Sequence, residues 1–541
     1  MTQIHGGQVI ARALRQEGVE AIFTLTGGHI LPILDGCVQE GIRVVDMRHE
    51  QAAAHAAEAY SRLTGRLGVA AVTAGPGVTD AVTGLATAYH SGTPLLLLGG
   101  RHMRHQELKG GLQEMDHPRL VWSVTRWADT ARDVARLADY VATAARHAFA
   151  GRGGPVFLDI PMDVQFDMVD EDAVSWPRRY RSGQPTGADS DTIDEIVAAL
   201  EAARRPVIFA GTGIRPGPNR LAELAELLSA PTFLNSRARG SLPYGHPLLG
   251  RHVRSAAFTG ADLVLALGVD WDFRTKYGQS VNPEATVVQV DAEAAKVGWN
   301  RPADLAVVAD PVRVVAQLMD RGEEIRRRDT GWSQEILQQD AARQAEMEAE
   351  AESDAVPVMP QRFARDVAAF FGPDAIVAVD GGDIVSTTAR WLQVSRPGHL
   401  LDPGPFGTLG TGAPYAIAAK VAFPEARVGI VYGDGAFGFN AMEYDTMVRL
   451  GLPIVGVMGN DGVWANIKTL HRMVYPERVV AADLGRRPYH AMVEGLGGYG
   501  ELVEDPAELL PALKRAEASG QPALVNVHLA ETMRMSSNYE Q

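Results

Sequence analysis

The stretch VGIVYGDGAFGFNAMEYDTMVRLGLPIVGVMGNDGVWANI, Val428–Ile467, decides how the chain is read. Its opening, VGIVYGDG, is a short apolar run halted by Gly-Asp-Gly, the pattern of a buried strand. NAMEYDTMVRL follows with helical spacing, and Asn440 stands where an N-cap would. PIVGVMGN is a second strand, closed by Asn460, Asp461 and Gly462. Strand, helix and strand in this order make a βαβ unit, whose parallel strands end on the same edge of the sheet. Asp434 and Asn460 therefore meet at that edge, although 26 positions separate them. A carboxylate beside an amide oxygen suits a hard cation such as Mg²⁺, which keeps positions open for phosphate and water. The glycines flanking Asp434 let backbone N–H groups approach a diphosphate, and a helix N-terminus favours the anion.

Outward from this unit, helix and strand alternate along most of the 541 residues, the pattern of α/β domains with doubly wound parallel sheets. Residues 1–165 form one such unit, with strands in AIFTLTGG, IRVVDMRHE, LGVAAVTAG, PLLLLGG and GPVFLDIP. Residues 166–192 lose periodicity and gain Pro, Gly and charge, as a linker does. A second α/β unit occupies 193–320, and 321–358 is a charged connector read as a solvated helix. The third unit fills 359–529, and residues 530–541 are a tail.

A net charge of −15 argues against nucleic acid as a partner. One cysteine, Cys37, rules out an intramolecular disulfide and fits a reducing cytoplasm. The opening residues lack a signal-peptide pattern, and no apolar run is long enough to span a membrane.

The Gly-Asp-Gly to Asn spacing resembles the cofactor motif of thiamine diphosphate (ThDP) enzymes of the decarboxylase type. Three tandem α/β units match that family's pyrimidine-binding, middle and diphosphate-binding domains, so the likeness covers nearly the whole chain. It implies that Asp434, Asn460 and the carbonyl of Gly462 hold Mg²⁺, with Gly435, Ala436 and Val463 lining the same cofactor turn. RHEQAAAHAAEAYSRLTG resembles the segment whose glutamate activates the cofactor, here Glu50. The likeness further places Gly28, Gly75, Pro76, Gly381, Gly382 and Asp383 along the cofactor. Gly407 and Leu409 would lie under its pyrimidine, with Leu409 as the wedge that bends it. Two departures stand out: Asp80 replaces the usual Asn after the GPG loop, and Asp383 stands where His or Asn is common.

GGLQEMDH resembles a segment that points Gln113 at the substrate adduct. Leu112 there replaces the common Phe, which either widens the pocket for a branched substrate or is ordinary lining. His29 and Glu494 are the two residues that could take a substrate proton. In the middle domain the resemblance implies a nucleotide held by Arg152, Gly211, Gly213, Arg215, Asp291 and Asp310, ADP ahead of FAD. The overall pattern is most similar to the 2-hydroxyacyl-CoA lyase and oxalyl-CoA decarboxylase branch, the actinobacterial 2-hydroxyisobutyryl-CoA lyases in particular. It implies an acyl-CoA substrate, formyl-CoA as product, a homodimer or dimer of dimers, and a tail around Met533–Met535 that either closes over the site or frays. Two alternatives remain: an acetolactate-synthase-like transferase acting on pyruvate, and a catalytically silent regulatory subunit of the same fold.

Overall fold

The computed structural model describes residues 2–325 and 330–532 of the chain. They fold as two compact units, Met1–Gly183 with Pro403–Glu425 and Asn440–Leu452, and Gln184–Asp402 with Ala426–Phe439 and Pro453–Gln541. The residues around Met533, read as either a lid or a frayed end, lie outside the described residues.

Three six-stranded sheets, parallel throughout, carry the architecture. In the first unit the strand order is Arg43–Asp46, Ala21–Thr24, Gly68–Val72, Leu95–Arg101, Pro155–Pro161, Trp127–Thr130. In the second unit one sheet runs Leu249–Gly250, Thr232–Leu234, Pro206–Ala210, Leu263–Leu267, Thr286–Asp291, Leu305–Val308. The other runs Leu400–Leu401, Ile376–Asp380, Val428–Gly433, Val455–Asn460, Ala523–His528, Tyr499–Val503. The central strands are unbroken apolar runs because helices cover both faces. Leu95–Leu98 and Leu263–Leu267, for example, are wholly buried.

Each sheet reverses its winding between two neighbouring strands, and the crevice beyond such a switch point is where a doubly wound sheet takes ligands. In the first sheet the reversal falls between Ala21–Thr24 and Gly68–Val72. It falls between Pro206–Ala210 and Leu263–Leu267 in the second, and between Ile376–Asp380 and Val428–Gly433 in the third. The glycine-rich turns picked out from the sequence follow five of these six strands, all but Leu263–Leu267.

The helix Glu50–Thr64 shows how composition sets packing. Its alanines let other backbones approach closely: a Cβ added at Gly68 would lie 2.0 Å from the Ala57 carbonyl oxygen, and one at Gly84 2.4 Å from the Ala54 Cβ. Gly65, at φ 70°, ends the helix and returns its N–H to Ser61 O.

Three sequence expectations are revised. The linker 166–192 contains a strand, Met168–Asp170, which pairs antiparallel with Gln3–His5, so its start is built into the first unit. The connector holds the helix Trp332–Ala351, whose Trp332, Ile336, Asp340, Met347 and Ala351 are buried. That stripe packs against the apolar clusters of both sheets in the second unit, so only its other faces are solvated. Asn440 is no N-cap: the chain enters a helix at Asp434, directly off the strand, and this helix closes at Asn440. A second helix, Glu443–Leu450, starts at a Met442 cap, and Asn440 Nδ2 instead donates to Gly410 O at 2.6 Å.

Glu443 is buried and accepts from Arg48 N–H and Thr446 Oγ–H. Burial is the larger influence and pushes its carboxyl up to about 7. A carboxyl raised on folding stabilises the protein below its unfolded value and loses that contribution as pH rises through the folded one. Stability of the wild-type protein should therefore fall by up to about 3 kcal/mol between roughly pH 4.5 and 7 from this group. Glu443→Gln, whose amide can still accept from Arg48 and donate to Thr446, should flatten that slope in urea titrations taken across pH.

Candidate active site

At the edge of the third sheet, Gly433 and Gly459 are register partners, so the next residues, Asp434 and Asn460, leave neighbouring strands side by side. The Asp434 carboxylate is buried; Oδ1 accepts the Gly435 N–H and Oδ2 the Gly462 N–H, each at 2.9 Å. Burial outweighs those bonds and raises its carboxyl to about 6. Asn460 turns its amide nitrogen inward, donating to Asn526 Oδ1 at 3.0 Å and Arg487 O at 3.3 Å. Its buried Oδ1 has no hydrogen-bond partner. A buried amide oxygen without a donor is costly unless something electropositive answers it. With a carboxylate alongside, this donor set fits a hard divalent cation.

The third expected oxygen differs. Gly462 O accepts the N–H groups of Leu484 and Gly485, both at 2.8 Å, so its lone pairs are already engaged. Gly435 must lack a side chain, since a Cβ there would sit 2.3 Å from the Trp464 ring. Ala436 and Val463 are buried beside it. Gly381, at φ 139°, and Gly382 end the strand Ile376–Asp380, and Asp383 opens the helix Asp383–Ala389.

Several residues of this edge were not singled out from the sequence. Asp461 is raised to about 7, chiefly by burial and then by Asp434 and Asp383. Tyr489 packs against Phe437, with ring centroids 5.3 Å apart. Asn526 also meets His490 Nδ1 at 3.3 Å. A polar residue in the interior of the otherwise apolar run ALVNV was the available signal for Asn526. Because Asn526 sets the rotation of the Asn460 amide, Asn526→Ala should weaken divalent-cation binding by roughly 10–100-fold. Calorimetric Mg²⁺ titration with the coenzyme present would measure this, and unchanged affinity would refute it. Glu494 is exposed on the helix Tyr489–Gly495, one turn beyond His490, with its stem over Gly500.

In the first unit, Glu50 begins its helix with its carboxyl buried. It lies against the turn that opens the helix Pro76–Ser91: a Cβ at Gly77 would be 3.5 Å from Glu50 Oε1. Burial is the main cause that raises its carboxyl. The turn itself is pinned from below. The Gly75 N–H donates to His117 Nε2 at 2.9 Å, so the ring proton sits on Nδ1 and faces buried Asp159 at 3.0 Å. Arg101 answers the second Asp159 oxygen at 2.7 Å. His117 closes the segment GGLQEMDH and Asp159 lies in the strand GPVFLDIP, but neither was given a role from the sequence. Gln113 touches the same turn, and a Cβ at Gly75 would meet the Gln113 Cβ at 2.8 Å. Leu112 is exposed.

His29 is buried with Nδ1 3.0 Å from Thr73 Oγ1. Burial first, then nearby His102 and His117, lowers its affinity for a proton and favours the neutral ring. Gly28 opens the single turn that carries it. Gly407, at φ 67°, closes the turn Gly404–Phe406 ahead of the half-buried Leu409. Phe406 in that turn stacks on His90, with centroids 5.1 Å apart.

The expected nucleotide residues of the second unit gather at the carboxyl ends of their sheet. Gly213 packs on the Gly268 backbone, and Gly211 beside it donates to Leu267 O. Arg215 pairs with Asp310 at 3.3 Å. Asp310 also caps the helix Pro311–Asp320, and buried Asp291 accepts the Glu293 N–H. Arg152 belongs to the first unit, buried in the turn before Pro155–Pro161.

Three family models match the chain: the N-terminal TPP binding domain of thiamine pyrophosphate enzymes over residues 4–120, their central domain over 193–318 and their C-terminal TPP binding domain over 380–527. The chain belongs to the thiamine pyrophosphate enzymes. Its relatives point to two activities. Acetolactate synthase large subunit IlvG of Mycobacterium tuberculosis is 39% identical over 97% of this chain and 95% of its own. The 2-hydroxyacyl-CoA lyase 2 proteins of Caenorhabditis elegans and Homo sapiens are each 34% identical over 98% of this chain and 90% of theirs. Among the described residues of the enzyme, no helix is long and apolar enough to cross a membrane.

Proposed function

We propose that the enzyme is a carbon–carbon lyase that cleaves a 2-hydroxyacyl-CoA, branched ones such as 2-hydroxyisobutyryl-CoA included, to formyl-CoA and a ketone or aldehyde. The observation that carries this reading is a crowd of arginines in the second unit. Arg239, Arg254 and Arg274 lie close enough to repel one another, and Arg251 feels Arg239. Asp270, Asp272 and Asp402, with Asp340 beside Arg251, offset much of this charge. Burial and the two neighbouring guanidinium groups still bring Arg254 down to about 10. Such a cluster favours a ligand rich in phosphate, as a CoA thioester is, over a small 2-oxo acid with one carboxylate. The full-length similarity to 2-hydroxyacyl-CoA lyases points the same way.

In this reading Asp434 and Asn460 would hold Mg²⁺ and, through it, the diphosphate of ThDP. Gly381, Gly382, Gly435, Ala436 and Val463 would line it, and Gly407 and Leu409 would support the pyrimidine ring. When bound, ThDP supplies the nucleophilic carbon and the electron sink that this cleavage needs. Glu50 would exchange a proton with the pyrimidine ring from its buried position. His29, held neutral, or Glu494 would take the 2-hydroxyl proton of the substrate, and Gln113 would orient the adduct. ADP would sit on Gly211, Gly213, Arg215 and Asp291, and the active assembly would be a dimer or dimer of dimers.

The second reading, an acetolactate-synthase-like transferase, is favoured by the relatives at 39% identity. Purified enzyme with ThDP and Mg²⁺ should form formyl-CoA from a panel of 2-hydroxyacyl-CoA thioesters. Acetolactate from pyruvate, with no formyl-CoA from any thioester, would replace the first reading by the second. Mass spectrometry of the small molecules released on denaturation would identify the middle-domain nucleotide.

A further inference from the structure

Glu50 does not stand alone at its helix start. His49, the residue before it, and Asp80, on the facing helix Pro76–Ser91, bring ligand atoms within 4.8 Å of one another and of the Glu50 carboxyl. His49 Nδ1 accepts the Gln51 N–H at 3.1 Å, so the ring proton is on Nε2. That nitrogen faces Asp80 Oδ2 at 4.0 Å. The Nε2–H side of the ring thus faces Asp80 at ion-pair distance and the Nδ1 lone pair is spent on the Gln51 N–H, which sets the trio apart from a metal site. Asp80 also stands where the resembled family usually carries an amide, so the position here carries a charge.

We propose that Asp80 and His49 are opposing positioning residues for Glu50: the Asp80 carboxylate helps retain a proton on Glu50, and the His49 ring, neutral while Nδ1 accepts the Gln51 N–H, helps release it once that nitrogen binds a proton instead. This rests on the reading of Glu50 as the group that exchanges a proton with the coenzyme. A carboxyl in that role needs both protonation states within reach at working pH, which neither burial nor a single neighbour arranges. Burial alone favours the neutral form. An adjacent cation alone favours the anion.

The neighbours of Glu50 are few enough to identify the influences on it. Its helix packs on the strands Ala21–Thr24 and Gly68–Val72, whose AIFT and GVAAV bring no titratable side chain, and on Leu95–Arg101, whose one titratable group, Arg101, is engaged by Asp159 and Glu107. The helix Gly412–Ala422 packs on it too, but through Tyr415, which donates to Glu58 and lies under Arg62 two to three turns further along. The charges that act on Glu50 are Asp80, which raises its carboxyl, and His49, which lowers it.

The opposite signs make the test. Asp80→Asn removes a charge with little change of shape; His49→Asn removes a titratable ring, while Asn still supplies an N-cap acceptor at position 49. The full-length protein loaded with ThDP and Mg²⁺ is titrated with pH, reading the near-ultraviolet circular dichroism of the bound coenzyme beside kcat and kcat/KM. Asp80→Asn should move the acid-side midpoint to lower pH, His49→Asn should move it to higher pH, and the double variant should fall between them. A purely structural role for either residue would not give shifts of opposite sign. Glu50→Gln serves as the control and should lose the transition. If the transition is lost there but unmoved, or moved in one common direction, in the two asparagine variants, the inference falls and the reading of Glu50 stands. A transition that persists in Glu50→Gln would overturn both.

Discussion

Replacing Glu50 with glutamine is expected to cut turnover by roughly 10²–10⁴-fold, the range that one positioned proton-transfer group contributes, while the melting temperature stays level or rises. The two halves come from the same geometry. Glu50 is 8% exposed, at the first turn of an Ala-rich helix and against the glycine turn at Gly77. Burial makes its charged form costly, so at neutral pH the folded state gives up stability to keep a carboxyl there. Glutamine has the same shape, satisfies the same surroundings and carries no charge. It should therefore relieve the protein of that cost and remove only the exchangeable proton. Steady-state rates at saturating ThDP and Mg²⁺, measured beside thermal melts of the same preparations, check both halves. Near-normal turnover would end the assignment of Glu50, and a collapsed melt would mean that its role is structural.

The large design of the molecule was legible in the sequence because it rests on local signals. Apolar runs stopped by glycine mark the strands at the three switch points, and Gly-Asp-Gly and Asn-Asp-Gly mark the two tips where Asp434 and Asn460 meet. What escaped depends on contacts between segments remote in sequence. His117 and Asp159 are 42 positions apart and act on Gly75, a further 42 positions from His117. Asn526 reaches Asn460 from a strand near the end of the chain. The buried stripe of the helix Trp332–Ala351 is diluted by charged residues, so composition read as solvation. At Asn440 a good capping residue was outweighed by geometry, because the helix had already begun at Asp434. Gly462 was assigned an oxygen role by its place in the motif, whereas the fold spends that oxygen on Leu484 and Gly485.

Asp434→Asn is expected to lower Mg²⁺ affinity, and with it ThDP binding, by at least about 100-fold, more than loss of a supporting residue around a metal costs. The carboxylate is the charge that a divalent ion would meet first, flanked by an amide oxygen that hydrogen bonding already aims away from Asn526 and Arg487. Stability should change far less, because two terms oppose. The amide removes a carboxyl that burial has raised to about 6, which favours the variant at neutral pH. Yet both oxygens of Asp434 accept backbone N–H groups, and the new NH₂ must face either Gly435 or Gly462, at a cost of about 1–3 kcal/mol. Calorimetric titration of ThDP with and without Mg²⁺ measures the first effect, and denaturant unfolding of the cofactor-free protein measures the second. A variant that binds ThDP as tightly as the parent, with the same Mg²⁺ requirement, would show that the cation is held elsewhere. A variant that loses ThDP binding only because it no longer folds would be recognised by its unfolding curve. Asn460→Ala separates the cases further: it deletes the unpartnered oxygen without placing a donor against a backbone N–H, so it should weaken Mg²⁺ while keeping the Asp434 bonds to Gly435 and Gly462.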